Sequence, residues 1–223
     1  MTRTTAFALA ALLLASALGY WGVSAYRKGQ QHKAVGALVG DASRRLESAV
    51  ALESEASAAS SQQTVNKLDE QAQEVDRHVL ELHDMGEGPN RALAAAADDY
   101  LLTVRQILRQ QAASHRYRVQ VAASEGALRE HMGAAGRRSG AWIDEAVRRK
   151  DRMERNYFDY RVSAEALGRL LSAYPDSRKK LVAQLGIPLL ADEAVEDARR
   201  RAAATLKRIT ASVDQARQLA AVR

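Results

Sequence analysis

The sequence predicts an all-helical protein, in which an N-terminal membrane helix precedes an antiparallel up-down four-helix bundle. Three observations support this prediction. The chain is rich in Ala, Leu, Arg, Glu and Gln, which favour helices, and has only three prolines in 223 residues. Beyond residue 33, apolar residues recur at spacings of three and four, as they do on the buried face of a helix. No segment shows the alternation that is typical of a strand.

The N-terminal segment, residues 6–26, contains no charged side chain. At a rise of about 1.5 Å per residue it extends roughly 30 Å as a helix, the thickness of a bilayer's hydrocarbon core. Tyr20, Trp21 and Tyr26 precede Arg27, as aromatic and basic anchors do at a membrane interface. A secretory signal peptide is the alternative, because Val23–Ala25 is a possible cleavage site. We therefore assign residues 1–28 to a membrane anchor or signal segment, and favour the anchor.

Two features of the sequence predict opposite orientations for this segment. Arg27, Lys28 and Lys33 outnumber Arg3 on the other side, which by the positive-inside rule favours a cytoplasmic bundle. The signal-like start favours export, and we expect a single-pass protein of a bacterial inner membrane with its bundle in the periplasm. Small residues recur every four positions on one face of the segment, a pattern that favours close packing of two membrane helices. They are Ala11, Ala15 and Gly19.

The remaining residues, 29–223, are predicted to form one bundle domain. A first long helix is expected over 33–84, although residues 53–63 offer few large apolar side chains. Glycines and a proline then form a turn, and a second helix is expected over 90–133. It ends in the glycine-rich stretch 133–140.

The third helix is expected over 140–174 and carries five of the chain's eleven Phe, Trp and Tyr residues. It is predicted to end before Pro175, because proline disfavours helical geometry in the residue before it. A short helix over 177–185 and a last helix over 190–222 complete the bundle.

The up-down topology predicts which ends of the helices lie together. If the first helix rises from the membrane, the turn near residue 86 and the connection after residue 175 lie at the distal end. We expect a protein partner or a second copy of the chain to bind there, at His83, Met85, Pro89, Pro175, Ile187 and Pro188. The glycine-rich turn would return to the membrane with a basic patch that contacts anionic lipid: Arg137, Arg138, Arg148, Arg149, Lys150, Arg152 and Arg155.

Charge is distributed unevenly along the chain. Residues 26–112 have 10 Lys and Arg against 13 Asp and Glu, a net −3, whereas residues 113–223 have 22 against 14, a net +8. Such asymmetry favours contact with an anionic surface. We do not expect nucleic acid, because the sequence has no helix-turn-helix and few aromatics near the arginines. Many arginines have an acidic residue four positions away and are expected to form ion pairs, as in Glu145–Arg149 and Asp151–Arg155.

Few residues of the sequence suggest catalysis or metal binding. The chain has no cysteine, which excludes disulfides and thiolate metal sites. None of the five histidines follows a glutamate by three positions, as a di-iron bundle site requires. Glycine loops for phosphate and nucleophile motifs are also absent from the sequence. We therefore expect no cofactor, no metal and no enzymatic activity.

These observations together favour a membrane-anchored envelope bundle that acts as a structural scaffold or interaction module. Two alternatives remain open. One is a periplasmic sensory bundle with a ligand cavity lined by Trp142, Tyr157, Tyr160 and Tyr174. The other is a cytoplasmic, membrane-tethered module that binds an anionic partner such as nucleic acid.

Overall fold

The computed structural model describes the backbone of residues 3–55, 62–86, 88–134 and 139–221; its side chains are described from residue 23 onward in these ranges, residues 53–55 excepted. This part of the chain is helical, without a strand, which confirms the all-helical prediction. Five helices follow one another: α1 (Arg3–Glu55), α2 (Gln62–Asp84), α3 (Arg91–Gly133), α4 (Gly140–Leu185) and α5 (Asp192–Ala221).

Helices α1 and α2 run antiparallel to each other. His78 Nε2 lies 2.8 Å from Asp41 Oδ2, and Arg45 lies 3.8 Å from Glu74. A later residue of α1 thus contacts an earlier residue of α2, as in an antiparallel pair. The predicted single helix over 33–84 is therefore wrong. The same three-and-four spacing of apolar residues occurs on both sides of residues 56–61, which lie outside the described part. Because this spacing is unchanged by a reversal of the chain, periodicity alone does not distinguish one long helix from a hairpin.

Helices α3 and α4 form an antiparallel hairpin that runs the length of the bundle. Tyr100 and Tyr174 meet near one end, with their hydroxyls 3.3 Å apart, and Asn156 donates to the carbonyl of Gln120 near the other. Asn90 caps the start of α3 by accepting from the backbone N–H of Leu93. Helix α2 packs against α3, and α5 packs against α4, so consecutive helices are spatial neighbours.

Helix α4 continues through Pro175, contrary to the predicted end at Tyr174 and separate helix over 177–185. Proline in a helix interior costs about 3 kcal/mol, because it lacks an N–H and its ring crowds the preceding turn. The continued helix buries Leu181 and Leu185 in line with Leu171 and Tyr174. Burial of each leucine contributes about 2 kcal/mol, enough to offset the proline. The helix ends instead at Gly186, which has a φ of 65°.

The buried apolar residues form two separate cores. The near core lies in what we call the near half of the bundle: α1 from Val35, all of α2, α3 up to Ala112, α4 from Leu167, and the start of α5. The far core lies in the far half, which contains the rest of α3, α4 and α5. It consists of Val121, Leu128, Met132, Met153, Tyr157, Tyr160, Ala164, Val213 and Ala216.

The predicted membrane segment, residues 6–26, is part of α1. Residues 6–22 of this segment, which include Ala11, Ala15 and Gly19, lie outside the region whose side chains are described. Within the described residues, no helix is both long and apolar enough to cross a membrane.

Candidate functional site

Helix α1 leaves the bundle at the free end of the near half. Its residues 23–30 are almost all exposed, and Tyr26 is 67% exposed, whereas Val35 is fully buried. Gln31 marks the transition: its Oε1 accepts from the backbone N–H of Asn90 at 2.9 Å. His32 Nε2 lies 3.2 Å from the carbonyl of Leu185. The turn before α3 and the end of α4 therefore both lie beside the point where α1 emerges.

Gly88 allows this close approach of the turn to α1. Its φ of +58° lies in the left-handed region, and a Cβ on it would lie 2.6 Å from Gln31 Nε2. Both the backbone conformation and the space therefore favour glycine. The sequence predicts the turn, but it contains no signal that the turn contacts residue 31.

The residues predicted for a distal partner surface lie in the near half. His83 Nε2 lies 2.8 Å from Asp98 Oδ1, and Met85 is 40% exposed at the turn beside Gln31. Pro89, Ile187 and Pro188 belong to the two connections at the same end, and Pro175 lies within α4. The topology on which their distal placement depended is wrong, because the antiparallel pairing of α1 with α2 adds a reversal of the chain.

The described members of the basic patch lie in the far half. Helix α3 has 43 residues, so its two ends are about 65 Å apart at the usual helical rise. Arg148, Arg149 and Arg152 line a groove of about 430 Å³ between α3 and α4, which we call the basic groove. Lys150 and Arg155 lie outside the groove, and Arg137 and Arg138 lie outside the described residues. A bundle anchored through α1 would therefore hold the described basic residues away from that membrane, contrary to the prediction.

Glu145 fixes two arginines of the basic groove. Arg149 Nε donates to it at 2.7 Å and Arg148 Nε at 3.0 Å, and these hydrogen bonds lower the pKa of the Glu145 carboxyl. The predicted Glu145–Arg149 pair is confirmed. Arg152 has no ion pair among the described residues. The groove thus combines three guanidinium groups with one carboxylate, and its net positive charge suits an anion.

The predicted Asp151–Arg155 ion pair is not formed in the structure. Neither residue has an ion pair within 4.0 Å among the described side chains, and Lys150 has none either. Asp151 and Arg155 are both exposed on α4. Their charges are therefore available to other molecules.

A layer of buried polar side chains separates the two cores. Gln111 Nε2 donates to the carbonyl of Ala49 at 2.7 Å, and Arg118 donates to His115 Nδ1 at 2.9 Å. The partly buried Gln110 donates through Nε2 to Oγ of the buried Ser163 at 2.7 Å. Buried polar groups of this kind fix how helices align, because a shift would leave them without partners. The sequence carries a signal for this layer, because Gln111 and His115 interrupt the otherwise apolar face of α3.

The aromatic residues predicted to line one ligand cavity lie in different cores. Tyr174 packs in the near core against Tyr100, whereas Tyr157 and Tyr160 pack in the far core. Burial raises the pKa of both Tyr100 and Tyr174. Trp142 stacks on His131 at the edge of the far core, with ring centroids 4.7 Å apart. These side chains serve packing in two places rather than one shared cavity.

The described residues include no group of three or more His, Asp or Glu side chains that could hold a metal ion. His78 and His83 each contact the carboxylate of a neighbouring helix, Asp41 and Asp98 respectively. The expected absence of a cofactor and of enzymatic activity stays a prediction.

Comparison of the chain with models of protein families, with curated proteins and with solved structures finds no match in any of the three.

Proposed function

We propose that the protein is a membrane-anchored helical bundle that acts as a scaffold or interaction module and holds a basic surface away from its membrane. One observation carries the proposal. Helix α1 is continuous from Arg3 to Glu55, so the apolar N-terminal segment and the near core belong to a single helix. A membrane segment joined to a bundle in this way has no flexible linker between them.

The exposed part of α1 supports a fixed spacing between membrane and bundle. Residues 27–30, which follow the apolar segment, are helical and exposed, and four helical residues extend about 6 Å. Both connections of the near half, around Asn90 and Leu185, would then face the membrane, and the basic groove would lie about 50 Å farther away. The bundle would act as a spacer of defined length.

The partner suited to the far half is a protein with an acidic surface. Arg152 and Arg155 are exposed and without an ion pair among the described residues. Opposite charge accelerates association and selects among partners. At this distance the headgroups of the anchoring membrane are several Debye lengths away, so their attraction would be screened.

A topology experiment on the full chain tests the anchor. A reporter is fused after Arg223 and the N-terminus of the purified protein is sequenced. An intact N-terminus with an external reporter agrees with the proposal. A cytoplasmic reporter would contradict the periplasmic placement, and cleavage after Ala25 would contradict the anchor.

Site-specific photo-crosslinking tests the orientation and the partner. A photoreactive amino acid replaces Met85 in the near half or Arg152 in the far half. We expect lipid adducts only from position 85 and protein adducts mainly from position 152. Lipid adducts from position 152 would contradict an upright bundle. Ser172, exposed on α4 between the two ends, is the matched control position.

A sensory bundle is the second candidate, and the basic groove favours it. The groove is large enough for a small anionic molecule, and Asn156 and Ser124 line it together with the arginines. A series of small phosphates and dicarboxylates tests this candidate by thermal unfolding. A ligand should raise the unfolding temperature of the wild type and lose its effect in Arg152→Ala. Equal effects on both proteins would leave the scaffold role as the better supported one.

A further inference from the structure

Helix α4 carries four exposed, large apolar side chains in the far half. Ile143 is 53% exposed, Val147 52%, Phe158 55% and Val162 46%. At 100° per residue they lie within a sector of about 100° on the outer face of the helix. The buried face of the same stretch, which includes Met153, Tyr157 and Tyr160, points into the far core. The four side chains therefore form an apolar surface separate from the core, here called the α4 stripe.

The spacing of the four α4 stripe residues is symmetric along the helix. Its spacings are four, eleven and four residues, so the stripe reads alike in both directions about a point between Arg152 and Met153. A two-fold symmetric contact requires that residue i of one chain meets residue j of the other, and j meets i. In an antiparallel pair of α4 helices, Ile143 would meet Val162 and Val147 would meet Phe158.

We propose that the α4 stripe is a self-association surface, on which a second copy of this chain binds with its α4 antiparallel. The partner surface is thus the same stripe on another molecule. The four apolar side chains supply the contact, and the two-fold axis passes between residues 152 and 153.

The charges beside the stripe complement each other under the same axis. Asp151 and Arg155 lie on one flank of the stripe and Lys150 and Glu154 on the other, by their helical angles. Antiparallel helices bring like flanks together, which places Asp151 near Arg155 of the second copy and Lys150 near Glu154. Asp151, Arg155 and Lys150 have no ion pair among the described residues.

The surface around Phe158 has room for an incoming side chain. Phe158, Glu154, Arg155 and Asp159 line a shallow hollow of about 310 Å³. The guanidinium of Arg161 lies 5.8 Å from the centroid of the Phe158 ring. Val147 of the second copy would lie at this level of the helix. With four half-exposed side chains on each copy the contact is small, and we expect a weak dimer.

Antiparallel pairing directs the two α1 helices to opposite ends of the dimer. The inference does not depend on the proposed membrane anchor, because the contact lies entirely in the far half.

Cysteine crosslinking tests the arrangement, since the chain has no native cysteine. Two full-length variants, Val147→Cys and Phe158→Cys, are purified in detergent and oxidised separately and as a mixture. We expect the mixture to form a 147–158 disulfide faster than either variant links to itself. Ser172→Cys, exposed on the same helix, serves as the control. A faster 147–147 disulfide would overturn the antiparallel arrangement, and crosslinking no faster than the control would overturn the dimer.

A charge exchange supplies a second test with the fold intact. Asp151→Arg and Arg155→Asp should each weaken self-association several-fold in sedimentation measurements, and the double variant should restore it. All three should have the circular dichroism spectrum of the wild type, because both positions are exposed. Self-association that none of these variants changes would place the contact elsewhere, for example at Ala11, Ala15 and Gly19.

Discussion

The two halves of the bundle share α3 and α4 but differ in how they are held together. Among the described residues, the near core contains 27 buried apolar side chains and the far core 9. The near half gains α1 and α2, which both pack against α3. The far half relies more on contacts between polar and aromatic side chains, such as Tyr157 with Thr210 and Glu154 with Arg217.

We infer from this difference that one helical hairpin can support two units of unequal stability. Gln111 and His115 lie between the cores, where the contact of apolar groups is interrupted. Local opening occurs first where few apolar groups are buried. We expect the far half to open before the near half.

The largest expected effect comes from truncation in the near core. Leu101→Ala removes a fully buried side chain and should lower the free energy of unfolding by about 3 kcal/mol, because a cavity remains. Urea denaturation measures this loss, and Leu80→Ala, at a 62% exposed position, is the control with little change.

Met153→Ala in the far core should instead increase amide exchange mainly in the far half. Equal exchange changes in both halves would show that the bundle is one cooperative unit.

A smaller effect is expected from the tyrosine pair of the near core. The Tyr174 hydroxyl donates to the Leu190 carbonyl at 3.0 Å, and Tyr174→Phe should cost about 1–2 kcal/mol. Burial, and then Tyr100, raises the pKa of Tyr174 above its usual value. Protonation of a group with a raised pKa stabilises the fold below about pH 10 and ceases to do so as the pH rises further. The difference between variant and wild type should therefore shrink in alkali, which denaturation at two pH values measures. A constant difference would contradict the burial of this hydroxyl.

Asp41 connects α1 to α2 and should contribute about 1 kcal/mol to the free energy of unfolding. Burial alone would raise its pKa, but hydrogen bonds from His78, Arg45 and Arg44 bring it down to about 2. A lowered pKa stabilises the fold above about pH 4, and this contribution is lost as the pH falls toward 2. Asp41→Asn should thus be destabilised at neutral pH and resemble the wild type near pH 2, in urea titrations at both values. Loss of stability that persists in acid would assign the effect to packing.

The smallest effect is expected in the far half, at Arg217. Its Nε donates to Glu154 at 2.8 Å, and the pair is about one third exposed. Arg217→Gln should cost about 0.5 kcal/mol at low salt and less at high salt, since exposed ion pairs are screened. Unfolding in low and high sodium chloride measures the difference. A salt-independent cost would assign it to the stacking of Arg217 on Tyr157, whose ring centroid lies 5.3 Å away.

Helix content was predictable from the sequence, whereas the order of helices in space was not. The start of α3 at Asn90 and the buried positions Val35, Val39 and Leu46 follow from capping and spacing. The reversal between α1 and α2 does not, because the apolar spacing is the same on both sides of it. Continuation through Pro175 depended on Leu181 and Leu185 finding a core, which only the packed structure reveals.

The candidate site was only partly predictable for the same reason. The basic residues at 148, 149 and 152 are recognisable in the sequence, and their shared groove follows from helix geometry plus the small side chains of α3 opposite them. Their distance from the N-terminal segment depends on the number of chain reversals. Because the reversal between α1 and α2 was not predicted, each predicted surface was assigned to the wrong end of the bundle.

The unbroken α1 also fixes a rotational phase between its two ends. Each residue inserted between Tyr26 and Gln31 would turn the N-terminal segment about 100° around the helix axis relative to the bundle. Seven inserted residues would restore the original direction to within about 20° while adding about 10 Å of length. The chain's tolerance of insertions here should therefore follow the helical repeat rather than length, and any rotation of the N-terminal segment would be transmitted as torque to the near core.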